Sequence, residues 1–381
     1  MMRMISFPIF LLLFSGCQSA MNYAIKDRNA RVQDFINRRF ESNDFPGIQY
    51  LVLNPDSTVF GYSRGWADIA AQRRVEAYTT MMIYSMSKTI TAAAVLQLIG
   101  LGKISLDDPV TKYLNNIPYG NEVTIRHLLS QTSGIPNAIP LKWVHLAEEH
   151  STFNEKAALT RILTENSELD FQPGKKYGYS NISYWLLGQV IETASGSTYE
   201  DYVRQNIFQR LNLSRDEIDF VIPSSQNHSK GYLPKWSFLN LFKSFVIDSK
   251  FIGDYESGWL HIKDHYLNGP AFGGIVCTAH SIGVFLQDQL RDSSQLFAQH
   301  TKNLFFEQQK NSDGDPIEMT LGWHIGTTDT AKYFFKEGGG GGFHCEMRIY
   351  PAYGIASVVI ANNTSFNVKD FLNIVDKEFF R

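Results

Sequence analysis

The sequence predicts an α/β fold in which a helical part is inserted between two halves of a strand-bearing domain. Three observations carry this reading. Strand-like apolar runs lie toward both ends of the chain, at 48–62 and 332–361. Between about Leu101 and Leu213 the signals are mostly helices and loops. A final helix follows from Val368, after the last strand. Strands from both termini with helices between them put the α/β part at about 30–90 and 270–381, and the helical part at about 91–269. A chain of 381 residues, 44% apolar and 19% charged, has ample material for such a core. Its formal net charge of -3 shows no basic excess, so nucleic acid is not an expected partner.

Taken in order, Ala30–Phe40 reads as an amphipathic helix with Val32, Phe35, Ile36 and Phe40 on one face. Ile48–Leu53 and Val59–Tyr62 flank Asn54-Pro55-Asp56-Ser57, whose residues favour a turn, and so form a hairpin. Thr89–Gly100 is helical and closes at a glycine pair, Gly100 and Gly102. Ile125–Leu129, Glu155–Thr164 and Ser183–Ala194 are helices of the inserted part, the last ending at Ser195-Gly196. Trp236–Ile252 is rich in aromatics, with Trp236, Phe238, Phe242, Phe245 and Phe251. It reads as an insertion helix packed on the core, with a hydrophobic lip or membrane contact as the competing reading. Ile275–Leu290 is predicted helical, and Lys332–Phe335, Glu346–Tyr350 and Ile355–Ala361 as strands, with the glycine run Gly338–Gly342 between the first two.

The N-terminus has its own signal. One positive charge, Arg3, precedes the apolar run Ile5–Phe14, which is too short to span a bilayer and reads as a signal peptide over 1–16. Leu13-Phe14-Ser15-Gly16-Cys17 resembles a bacterial lipobox, with Phe14 where leucine is usual. That resemblance makes Cys17 the expected lipidation site, 17–29 a lipidated N-terminus and linker, and the membrane a partner through the lipid. Gln18 after the cysteine resembles lipoproteins sorted to an outer membrane, so the expected place is the cell envelope, on that membrane's periplasmic face. Cys277 and Cys345 then remain, enough for one disulfide or none. No Cys and His spacing matches a zinc site, so no metal and no cofactor are expected.

Three short stretches carry chemistry. In Ser85-Met86-Ser87-Lys88, a lysine three residues after a serine faces the same side of a helix and reaches the serine oxygen. A desolvated amine loses basicity and can then take the hydroxyl proton, while the helix start offers N–H donors to a developing anion. In Tyr179-Ser180-Asn181, ahead of a helix, a phenol of lowered pKa can relay protons and an amide can orient a carbonyl. In Lys336-Glu337-Gly338, followed by Gly339, a strand bears a cation and then exposes backbone N–H groups. No G-x-S-x-G elbow accompanies the histidines, which argues against a Ser-His-Asp triad.

The order S-x-x-K, Y-S-N, K-x-G resembles serine β-lactamases and penicillin-binding proteins, and the Y-x-N form is similar to the class C enzymes and their esterase and D-amino acid peptidase relatives. Lys103–Val110, Thr124–Pro136, Phe272–Ala279 and Val358–Asn362 are similar to further signature segments of that family. The resemblance implies an antiparallel sheet flanked by helices, an inserted helical domain, and an active site at their interface. It implies Ser85 as nucleophile, Lys88 and Tyr179 sharing the base role, and the N–H groups of Ser85 and Gly339 as oxyanion hole. Asn181 would hold the substrate, Gly338 would lie beside it, and Lys336 would tune Tyr179. The expected activity is hydrolysis of a small-molecule or peptide-like ester or amide, with β-lactams and D-alanyl peptides as alternatives. A binding protein that keeps the fold without chemistry is the competing class. Gln131 departs from a frequent histidine, Cys277 from a frequent serine, and Glu337 from the usual threonine, serine or glycine.

Overall fold

The computed structural model describes residues 10–137, 143–241 and 247–380, with side chains from Tyr23 onward except 238 and 239. The signal segment's first nine residues and the Cys17 side chain lie outside the described residues. Seven strands form one sheet: β1 (Gly47–Leu53), β2 (Thr58–Asp68), β3 (Arg73–Arg74), β4 (His324–Thr327), β5 (Lys332–Gly339), β6 (His344–Tyr350) and β7 (Ile355–Ala361). Their order is β4-β5-β6-β7-β1-β2-β3, every pairing antiparallel. The two ends of the chain meet in the middle of this sheet, where Ile48 of β1 pairs with Ala361 of β7.

Strand parity then divides the core. Val359 and Ala361 pack with Val32 and Ile36 of helix α1 (Phe10–Glu41) and with Phe371 and Leu372 of the C-terminal helix (Val368–Val375). Val358 and Ile360 face the other way, with Ile282 and Phe285 of the helix Ala279–Leu290 and with the helical part. Both faces are covered, which is why Ile355–Ala361 is buried at every position and reads as an unbroken apolar run. The predicted hairpin is present. Asn54 Oδ1 accepts from the N–H groups of Asp56 and Ser57 at 2.9 and 2.8 Å, the local bonding that makes Asn a turn residue.

Several boundaries differ from the sequence reading. Helix α1 runs back through the segment read as a linker. The helix predicted over Ile275–Leu290 starts only at Ala279, because Thr278 caps it by accepting from Ser281 N–H. Val276–Cys277 ahead of it is a short buried strand paired with Met81–Met82. A short apolar run before a cap does not declare its period, and here the strand wins. Strand β4 was not anticipated. In the aromatic segment Phe238–Leu241 and Ser249–Phe251 form single helical turns rather than one helix, Trp236 stands exposed, and 242–246 lies outside the described residues.

Candidate active site

Residues Tyr84–Met86 make one tight turn that runs straight into helix α2 (Ser87–Gly100), so Ser85 sits at the helix entrance and Lys88 in its first turn. Apolar side chains surround α2, twelve of whose residues are buried, so this is a core helix rather than an amphipathic one. Lys88 is therefore carried into the interior and is wholly buried. Its Nζ lies 3.0 Å from Ser85 Oγ, 2.7 Å from Asn181 Oδ1 and 2.6 Å from the Phe272 carbonyl oxygen. Burial pushes the Lys88 amine well below the usual lysine range, and the charge of Lys336 lowers it further.

Tyr179 approaches from the other side, its hydroxyl donating to Ser85 Oγ at 2.8 Å. It precedes helix α3 (Asn181–Ser195), which Ser180 caps through Ser183 N–H and Gly196 ends with a φ of 77°. Burial raises the phenol's pKa, opposed in part by the bond to Ser85. The sequence reading asked for a lowered value. Tyr179 is instead a neutral donor in the resting protein. Asn181, expected to hold substrate, is engaged within the protein: Oδ1 accepts from Lys88, and Nδ2 donates to Asn137 Oδ1 at 3.0 Å.

Strand β5 supplies the third side. Lys336 is fully buried with its Nζ 5.2 Å above the Tyr179 ring, and among the described residues that nitrogen has no hydrogen-bond partner. Burial lowers its pKa to about 7, with Glu337 acting in the opposite sense. Gly338 and Gly340 stand beside the Ile83–Tyr84 segment for a steric reason. A Cβ on Gly338 would lie 2.1 Å from the Ile83 carbonyl oxygen, and one on Gly340 would lie 2.5 Å from the Tyr84 ring. The glycines were read as exposing backbone N–H groups to a substrate. They first make room for the protein's own 83–84 segment.

A model of the family described as Beta-lactamase matches residues 32–376. The chain belongs to the beta-lactamase family. A penicillin-binding protein of Bacillus subtilis (strain 168) is 23% identical over 346 residues, covering 88% of this chain and 72% of its own. The octameric penicillin-binding protein homologue from Pyrococcus abyssi superposes with a TM-score of 0.73 at 20% identity, over 91% of this chain and 77% of that one. D-amino acid amidase from Ochrobactrum anthropi gives 0.71 at 19% identity, over 94% and 97%. These likenesses establish the β-lactamase-like fold.

Within this family member the three departures have clear surroundings. Gln131 brackets the loop before α3, its Oε1 accepting from Ser180 N–H and its Nε2 donating to the Ser180 carbonyl. Cys277 and Cys345 are both buried and free, and burial raises both thiols. Glu337 lies on the opposite side of β5 from Lys336 and Gly338, partly exposed, with Oε1 2.7 Å from His344 Nε2. That bond holds its carboxyl below the usual range.

Sequence reasoning missed three contributors. The Phe272 carbonyl has no side-chain signature, and Asn137 sits in a loop without one. His324 of β4 stacks on Phe335 at 5.1 Å and on Tyr179 at 6.5 Å, with Nε2 3.2 Å from Tyr177 OH. Its signal was lost with the unanticipated strand.

The buried Lys336 amine has a thermodynamic consequence. Folded Lys336 loses its proton near pH 7, whereas in the unfolded chain a lysine keeps it to about 10.4. Between those values the unfolded state binds more protons, so this group makes stability rise with pH, by up to about 1.4 kcal/mol per unit. Urea unfolding at pH 6, 7, 8 and 9 should show wild type gaining on Lys336→Met above pH 7. A difference that stays flat would mean Lys336 remains charged when folded.

Proposed function

We propose that this protein is a serine hydrolase that acts through an acyl-enzyme on Ser85. The burial of Lys88 within reach of Ser85 carries the reading, because burial favours the uncharged amine. An uncharged amine has two N–H donors and one lone pair. The Asn181 oxygen and the Phe272 carbonyl can only accept, so they take the two donors. The lone pair is left for the Ser85 hydroxyl, 3.0 Å away. Ser85 Oγ attacks the substrate carbonyl carbon as its proton passes to Lys88 Nζ. The tetrahedral intermediate collapses, breaking the bond to the alcohol or amine, which leaves with a proton passed on through Tyr179. Water then attacks the acyl-enzyme, its proton taken by the same Tyr179–Lys88 pair, and Ser85 is released with its hydrogen restored. The N–H groups of Ser85 and Gly339 serve the oxyanion, at about 3 kcal/mol per donor in such sites. Lys336 favours negative charge on Tyr179 during the transfers.

The preferred substrates in this reading are short neutral esters or amides. A third-motif strand that receives a substrate carboxylate needs cationic and hydroxyl groups; Glu337 supplies no hydroxyl, and although it lies on the face opposite Lys336 its negative charge still reaches Tyr179. In a panel, a short p-nitrophenyl ester should turn over faster than a penicillin or a peptide ending in free D-alanine, and Ser85→Ala should lose all turnover and all fluorophosphonate labelling. Glu337→Thr should raise the rates on the two carboxylate substrates and barely change the ester. Labelling that survives in Ser85→Ala would remove the enzyme assignment. A penicillin cleaved faster than the ester would remove the substrate preference.

We also propose that the chain is an envelope lipoprotein held by a lipid on Cys17, supported by the apolar run ending in Ser15-Gly16-Cys17. Cys17→Ser should shift the protein from the membrane fraction to the soluble one on cell fractionation. Wild type found only in the soluble fraction would contradict it.

A further inference from the structure

The residue before the nucleophile is unusual. Tyr84 is not glycine, yet its φ is 42°, a left-handed conformation that a bulky side chain adopts only when its surroundings hold it there. Its ring is buried at 4% exposure beneath the glycine run, close enough that a side chain at 340 has no room. Its hydroxyl lies 2.6 Å from the Gly341 carbonyl oxygen and 3.1 Å from His265 Nε2. His265 is itself buried, its ring stacked on Tyr84 at 6.3 Å. A second link runs alongside, with Cys345 Sγ 3.3 Å from the Ile83 carbonyl oxygen and 3.2 Å from that of Gly338. The nucleophile turn and the end of β5 are thus joined on both sides of Gly339.

Counting hydrogens defines the arrangement. His265 Nδ1 lies 2.8 Å from the Lys263 carbonyl oxygen, which can only accept, so the imidazole hydrogen belongs on Nδ1. In the neutral ring Nε2 is then a bare acceptor. Burial lowers the pKa of His265, which favours that neutral form. Tyr84 has one hydrogen and two acceptors in reach, and the shorter contact is to Gly341.

We propose that Tyr84 is a positioning residue, whose hydroxyl tethers Gly341 and thereby fixes the Gly339 N–H relative to Ser85, with His265 competing for the same hydrogen. This rests on the acyl-enzyme reading for its kinetic consequence, while the tether itself is a structural claim. The expected roles differ in sign. Tyr84→Phe keeps the ring that the glycines pack around and removes the tether. His265→Phe keeps a ring and removes the competing acceptor, leaving Tyr84 bound to Gly341.

The test joins hydrogen exchange of the peptide spanning 336–343 with ester kinetics on wild type, Tyr84→Phe, His265→Phe and Ser85→Ala. Tyr84→Phe should exchange that peptide at least about tenfold faster, with other segments unchanged. It should also lower kcat by on the order of tenfold with KM within about twofold, since a misplaced oxyanion donor acts on the transition state. His265→Phe should not speed exchange there. If both variants loosen the peptide equally, the two residues are packing only and the tether is refuted. Unchanged exchange in Tyr84→Phe refutes it as well. Turnover in wild type that Ser85→Ala retains would instead refute the hydrolase reading, and the exchange result would still decide the tether.

Discussion

The burial of one amine organises this protein's site. A protonated Lys88 in the interior would carry a desolvation penalty of several kcal/mol even after relaxation. Among the described residues no carboxylate is a hydrogen-bond partner of Lys88. It meets the Ser85 hydroxyl, the Asn181 side chain and the Phe272 carbonyl, each held by a different segment. Those three acceptors could satisfy an ammonium's three donors, so it is the loss of water on burial that disfavours the charge, and a second buried amine at Lys336 presses in the same direction. The chemistry therefore begins in the packing of α2. Because that helix is buried within the core, a lysine in its first turn has no route to solvent, and its basicity falls.

A second constraint follows from the first. In the proposed mechanism, fixing Ser85 against Lys88 and Tyr179 helps only if the oxyanion donors are fixed against Ser85. That is achieved by pressing β5 onto the Ile83–Tyr84 segment so closely that 338 and 340 admit no side chain. The sheet makes this contact possible, since β5 lies near its edge, covered by β4 only as far as Phe335. The remainder of β5 is paired on one side with β6 and presents its other edge beside the Ile83–Tyr84 segment that leads into Ser85.

Much of this was legible in the sequence. Ser85 and Lys88 declare themselves because helical spacing at i and i+3 puts them on one face. Tyr179, Asn181, Lys336 and the glycines gain meaning from their order along the chain. The two-ended sheet was visible in the apolar runs, and the hairpin in Asn54. What stayed hidden has physical reasons. Carbonyl partners such as Phe272 O are carried by every residue, so no letter marks them. The helix after Thr278 was drawn too long because a buried strand of two residues is shorter than any period. The shift of Tyr179 depends on its burial, which its sequence neighbours do not reveal. Strand alternation leaves Glu337 on the face opposite Lys336, but only the structure supplies its partner, His344.

The central claim is that Lys88 is an uncharged base in the resting protein. Its most direct test is the rate of Ser85 acylation by a neutral fluorophosphonate, followed from pH 5 to 11 under conditions where the protein stays folded. Lys88 and Tyr179 both contact Ser85 Oγ, so the profile reports the site rather than either group alone. The account predicts that the rate rises on the acid side and levels off well below about pH 10.4, the value for an ordinary lysine. A rate that keeps climbing tenfold per pH unit through 9 and 10 would show a protonated Lys88 at neutral pH and contradict the account.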